Sequence, residues 1–154
     1  LNLDGFWLDI GTPKDFLEGC KAALCNLDLE KKGLGTYKTG NGFIGKVLVG
    51  SNCKIEEECE IGPNVVLGDN IVIKKGTKIK NSVLFSNVKV ESHSLIDNSL
   101  IGWSSRIGRW VSIKGGLLGE DVEIGDEMIL KGNIILPNVT VKNKELSNND
   151  IIMF

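Results

Sequence analysis

An aliphatic side chain recurs at every sixth position along most of this chain. From Val49 the series runs through Ile55, Ile61, Leu67, Ile73 and Ile79, steps by five to Leu84, and continues to Val90. It resumes at Leu95, Ile101, Ile107 and Ile113, then at Leu118, Ile124, Leu130 and Leu136. All sixteen positions are Leu, Ile or Val, with three contractions from six to five. A second, smaller series lies four residues after each: Cys53, Cys59, Val65, Ile71, Thr77, Val83, Val88, Ser94, Ser99, Ser105, Val111, Leu117, Val122, Met128, Ile134 and Thr140. A period of six is neither the 3.6 of a helix nor the 2 of a half-buried strand. It fits an all-β solenoid, a parallel β-helix in which each short strand takes six residues and three strands close a triangular coil. Coils stack at strand spacing, about 4.8 Å. The first and fifth hexad positions are expected to face inward, with Gly and Asn at corners because they accept positive φ cheaply. Sixteen hexads make about five coils, enough to bury a continuous core where one repeat could not.

The flanks read differently. Residues 1–32 carry a short strand, 5–10, followed by a helix with Thr12 as N-cap, Pro13 at the first helical position and Asp15 in the first turn. Phe16, Leu17, Cys20, Ala23, Leu24 and Leu27 give that helix an apolar face through about Lys32, with Gly33 as its stop. The face must pack on the β-helix, on another chain or on a further domain. Residues 33–42 form a Gly-rich linker without the GxxxxGK[ST] spacing of a phosphate loop. The β-helix occupies 43–141, and 142–154 is a polar tail except for Leu146 and the apolar run Ile151–Phe154. That run is expected to fold back on an open coil end or onto a neighbour.

Composition narrows the function classes. A net charge of −2 gives no basic field for nucleic acid. The apolar hexads never merge into a run long enough to cross a bilayer. The amino end lacks the charged and apolar regions of a signal peptide. Because the sequence opens on Leu1, it is expected to be a piece of a longer protein. Four cysteines without a CxxC pair suit free thiols in a reducing cytosol, so a cytoplasmic location is expected.

Residues three hexads apart stack in columns. His93 and Trp110 become neighbours between Gly76 and Glu127. Arg106 falls between Lys89 and Glu123, Arg109 between Ser92 and Asp126, and Trp103 between Ser86 and Glu120. Two outward tryptophans with two arginines have the composition of an interface hot spot. His93, Trp103, Arg106, Arg109 and Trp110 are therefore the expected contact residues of a homo-oligomer. His93, the sole histidine, is also the one candidate general base, with Glu91 in the same hexad to orient it; a stack on Trp110 gives it a structural task instead.

Two stretches carry a family resemblance. GFWLDIGTPKDF (5–16) resembles the end of the catalytic domain of sugar-1-phosphate nucleotidyltransferases, where a strand delivers an Asp ahead of a Gly-Thr-Pro helix start. SHSLIDNSLIGW (92–103), RIGRWVSI (106–113), LLGEDVEIGDE (117–127) and IIM (151–153) are similar to the carboxyl-terminal part of the eukaryotic GDP-mannose pyrophosphorylases, or mannose-1-phosphate guanylyltransferases. The hexads alone are unspecific; the Trp-bearing coil and its Gly-Glu-Asp sequel are the telling part. The resemblance to hexapeptide-repeat proteins implies a left-handed coil, which the period itself does not decide.

By that resemblance the parent enzyme joins GTP and mannose 1-phosphate into GDP-mannose and releases pyrophosphate. Mg²⁺ would bridge the phosphates and neutralise charge as the sugar phosphate attacks in line. Asp9 matches the second metal-binding aspartate of the family, and a carboxylate suits Mg²⁺. Lys14 and Asp15 match the motif without an implied role. The family's Gly-rich nucleotide motif, its basic residues and its first metal-binding aspartate are absent from this sequence. The chain by itself is therefore expected to bind no GTP tightly and to turn over nothing. A hexapeptide acyltransferase, a non-catalytic regulatory relative and a glucose-1-phosphate-specific relative stand as alternatives. The acyltransferase would need a protruding loop and a catalytic His in a cleft between subunits, and the hexads here are nearly uninterrupted.

Overall fold

The computed structural model describes residues 8–142 and 146–153. The chain winds into a three-sided solenoid of about six turns rather than five. In the first turn Val47–Val49, Lys54–Ile55 and Glu60–Ile61 each take one side, and later turns add parallel strands to the same three sheets. The first sheet has eight strands, the second six and the third five. Thr36–Tyr37, within the Gly-rich stretch, pairs antiparallel with Val47–Val49 and starts the first sheet. Ile151–Ile152 pairs parallel with Ile134–Ile135 and ends it. The tail thus supplies the additional turn: Ile152 packs against the core beside Leu146, while Ile151 and Met153 stay exposed. Phe154 lies outside the described residues.

Strand pairing fixes the register. Val49 stacks on Leu67, eighteen residues on; every later step is seventeen, through Leu84, Ile101, Leu118, Ile135 and Ile152. The contraction falls each time at the corner between the third and first sheets. Two expected inward residues are corrected by this. Ile96, not Leu95, is fully buried, and Ile135, not Leu136, lies in the core. The second series shifts with it: Ser82, Gly116, Asn133 and Val139 face inward where Val83, Leu117, Ile134 and Thr140 were expected. Adjacent aliphatics such as Leu95–Ile96 are equivalent in composition, and only the constant turn length separates them.

Every corner carries a left-handed residue. Asn52, Asn70, Asn87, Ser104, Asp121 and Asn138 turn the chain from first sheet to second; Glu58, Gly76, His93, Trp110 and Glu127 turn it from second to third. Inside, the buried hydroxyls are satisfied by backbone. Ser94 donates to the Gly108 carbonyl and accepts from the Val111 N–H, and Ser105 bridges Gly119 and Val122 in the same way. Burial pushes the thiols of Cys20, Cys53 and Cys59 up from their ordinary value, which keeps them unreactive.

The helix spans Pro13–Asn26, opened by a capping box in which Thr12 accepts from the Asp15 N–H and Asp15 accepts from the Thr12 N–H. Leu8–Ile10 form no strand; the rest of the expected 5–10 strand lies outside the described residues. The helix lies on the outer face of the first sheet. Leu17 packs on Val83 and Leu100, and Leu24 on Leu48. It stops at Asn26, short of the expected Lys32. In a continued helix Leu29 would point about 140° away from Leu24. Breaking after Asn26 returns Leu29 to the cluster with Leu24 and Leu48, where it is buried. The Tyr37 hydroxyl donates to the freed Leu27 carbonyl.

Charge ties the first turn to the second. Glu56 pairs with Lys74, Lys75 with both Glu57 and Glu58, and Glu60 with Lys78, at 2.7 to 3.2 Å. The Lys74 ammonium, then the Lys75 N–H, hold the Glu56 carboxyl below its ordinary 4.5. The hydrogen bonds they donate to these carboxylates hold Lys74 and Lys75 above their ordinary 10.5. A depressed carboxyl stabilises the fold above its unfolded pKa, and that contribution is lost as pH falls through the folded value; the raised lysines lose theirs as pH rises past 10.5. Thermal melts should therefore drop on acidification below 4.5, with a smaller drop in Glu56→Gln. An equal drop in both proteins would refute the assignment.

Candidate interaction surface

Trp103 and Trp110 sit at different corners of one turn and flank the outer face of the second sheet. Trp103 lies between the strands Leu100–Ile101 and Arg106–Ile107, and Trp110 between Arg106–Ile107 and Ser112–Lys114. They are 50% and 62% exposed. His93 stacks under Trp110, with ring centroids 4.4 Å apart and planes 23° apart. Gly76 sits below His93, and any Cβ there would strike the imidazole. Both rings stand on left-handed backbone, φ 61° at His93 and φ 56° at Trp110. That conformation costs a non-glycine residue on the order of 1–2 kcal/mol. Trp110 thus carries a backbone cost and a solvation cost together, and the fold gains little from either.

The arginines fall in the expected columns. Arg106 pairs in register with Lys89 and Glu123. Its side chain is exposed and, among the described residues, forms no ion pair. Arg109 sends its guanidinium to Asp126 at 3.0 Å, and the same carboxylate accepts the Arg109 N–H. One contact falls outside the expected columns. Phe85 packs on Trp103 in a tilted contact with centroids 4.2 Å apart and reaches Phe16 of the helix at 6.2 Å, so Trp103 is braced through the helix. The signal was an offset of one residue from the column, which a strict column map omits. Glu123 stacks one turn beyond Arg106, and Glu120 one turn beyond Trp103 with Asp121 beside it, in the expected columns.

The remaining candidates are not brought together. Asp9 is exposed ahead of the helix, while His93 stands at a corner between the second and third sheets. Among the described residues no three His, Cys, Asp or Glu side chains group to hold a metal ion. The exposed Asp9 carboxylate can supply one oxygen of the near-octahedral set that Mg²⁺ takes, and the other ligands would have to come from outside the described residues. Asp15 has a structural task as the third residue of the capping box, and Lys14 lines a small cleft with Leu17 and Leu117. No helix among the described residues is long and apolar enough to cross a membrane.

The family model described as the GMPPB C-terminal domain matches residues 43–152. A probable mannose-1-phosphate guanylyltransferase 3 from Oryza sativa subsp. japonica is 38% identical over 77 residues, 50% of this chain and 21% of that protein. The mannose-1-phosphate guanylyltransferase catalytic subunit beta of Dictyostelium discoideum is 40% identical over 84 residues, 54% of this chain and 23% of that protein. The matched region thus spans about a fifth of the length of these relatives. Among solved structures, the acetyltransferase domain of PglB from Neisseria gonorrhoeae superposes with a TM-score of 0.47 at 18% identity, covering 66% of this chain and 53% of that one.

Proposed function

Because this chain belongs to the family of the GMPPB C-terminal domain, we propose that it is the carboxyl-terminal region of a mannose-1-phosphate guanylyltransferase. The family match across the solenoid carries the reading, and the guanylyltransferases related to it supply the reaction: GTP and mannose 1-phosphate to GDP-mannose and pyrophosphate. The solenoid serves assembly of the parent enzyme in the cytoplasm, and the chain alone is inactive. Asp9 contributes one carboxylate to a Mg²⁺ site completed by the parent's catalytic region. Bound there, Mg²⁺ neutralises phosphate charge. A general base at His93 is disfavoured, since its ring is held against Trp110 at a corner.

Coupled detection of pyrophosphate from GTP and mannose 1-phosphate tests this. The chain alone should give no release above background. Joined to a guanylyltransferase catalytic region, the same chain should release pyrophosphate, and Asp9→Asn should cut that rate by about a hundredfold or more. Acyl transfer from acyl-CoA by the isolated chain, or a joined protein without nucleotidyl transfer, would overturn the reading.

A further inference from the structure

The solenoid opens on a short cap. Gly40 to Phe43 make a tight turn in which the Phe43 N–H donates to the Gly40 carbonyl, with Asn41 and Gly42 at its centre. Gly42 stands at φ 84°, the left-handed value that a type II turn takes at its third residue. The Gly42 carbonyl accepts the Ile61 N–H at 2.7 Å, and the Ile61 carbonyl accepts the Ile44 N–H at 2.8 Å. Phe43, between them, packs on the end of the core. A Cβ on residue 42 would strike the Cys59 carbonyl, so the packing requires glycine there. Asn41 is exposed, and the Gly42 N–H has no acceptor among the described residues. This is the only Asn-Gly pair in the sequence.

We propose that Asn41 is a site of spontaneous deamidation, and that its conversion loosens the cap on the first turn. The Gly42 nitrogen attacks the Asn41 side-chain carbonyl carbon. A succinimide ring closes as the side-chain nitrogen leaves, taking the proton of the attacking amide, as ammonia. Water then opens the ring at either carbonyl and a proton is released. One opening gives aspartate; the other gives isoaspartate, in which the main chain runs through the side-chain methylene. Glycine permits this, since without a Cβ it neither shields its nitrogen nor restricts the rotation that brings the nitrogen to the side chain. The two Asn-Ser pairs at solenoid corners are placed otherwise. Asn81 and Asn98 are held at φ 48° and 49°. The Asn81 amide is bonded to Asn64 and Asp97, and the Ser99 nitrogen that would attack Asn98 donates to Ser82. Either would have to leave its place between neighbouring turns to react.

Both products disturb the cap. Asn41 and Gly42 border a mouth of about 440 Å³ whose rim carries Glu56, Glu57 and Glu58. A carboxylate at residue 41 adds like charge to that rim. Isoaspartate also lengthens the chain by a methylene just ahead of the carbonyl that holds Ile61, which draws Phe43 out of register. A solenoid end depends on such a cap.

Ageing the intact chain at mildly alkaline pH tests this. Peptide mapping and methylation by a protein isoaspartyl methyltransferase read the site, and amide hydrogen exchange reads its effect. Asn41 should convert ahead of every other asparagine, and the Ile44 and Ile61 amides should lose protection in step with it. Asn41→Gln, whose longer side chain closes a ring far more slowly, should abolish methylation at this position. Its Ile44 and Ile61 amides should stay as protected after ageing as before. Asn41 remaining intact, whether or not Asn81 or Asn98 converts, would overturn the site. Conversion at Asn41 with unchanged exchange at Ile44 and Ile61 would overturn its link to the cap. Neither readout involves pyrophosphate release, so this inference and the enzymatic reading fail separately.

Discussion

Ile107→Asp should abolish the native fold or leave it barely populated. Ile107 is 0% exposed, stacked between Val90 and Ile124 inside the solenoid, one residue from the exposed Arg106. The substitution removes a buried aliphatic side chain and sets a carboxyl where no donor awaits it. Stranding a charge in a packed interior costs about 3–5 kcal/mol, against a total stability of about 5–15 kcal/mol for a domain. Ile107→Val, which loses one methylene, should cost only about 0.5–1.5 kcal/mol. Urea unfolding followed by circular dichroism would order the three proteins. A midpoint for Ile107→Asp close to wild type would mean that this side chain does not face the core.

Leu24→Ala should cost about 2–5 kcal/mol and loosen the helix from the solenoid. Leu24 is 0% exposed and joins Leu29 and Leu48 in a cluster separate from the main core. A helix of 14 residues is marginal in water unless its apolar face is covered. Losing this anchor should therefore remove helical signal near 222 nm before the solenoid unfolds. Stability within about 0.5 kcal/mol of wild type would show that the helix is held elsewhere.

The period of six carried most of the solenoid, because a tube with one side chain per strand at its centre admits little variation. What it left open is physical. The first sheet is apolar on both faces: Leu67 and Leu84 look inward, while Val66, Val83, Leu100 and Leu117 meet the helix. Where both faces are apolar, alternation no longer separates inside from outside, and a count of six assigns Val83 and Leu117 to the core for that reason. A spacing of seventeen between successive turns would have placed them. The end of the helix was illegible because Leu-Asp-Leu-Glu-Lys-Lys favours continued helix, and only the pull of Leu29 toward Leu48 stops it. Of the candidate site, the columns of His93, Arg106 and Arg109 followed from register. The bracing of Trp103 by Phe85 depends on how rings lean across a corner, which no spacing encodes.

Turns of a solenoid touch only their neighbours, so such folds melt piecemeal from either end. Here the helix lies across Leu48, Val66, Val83, Leu100 and Leu117, which belong to five successive strands of one sheet. It is a splint. A strand within its span cannot detach without lifting an anchor shared with the others, and the span behaves as one cooperative body. Ile134 and Ile151 lie past its reach, so the closing turn is left as the tolerant end, where the protein can absorb sequence change without the rest registering it.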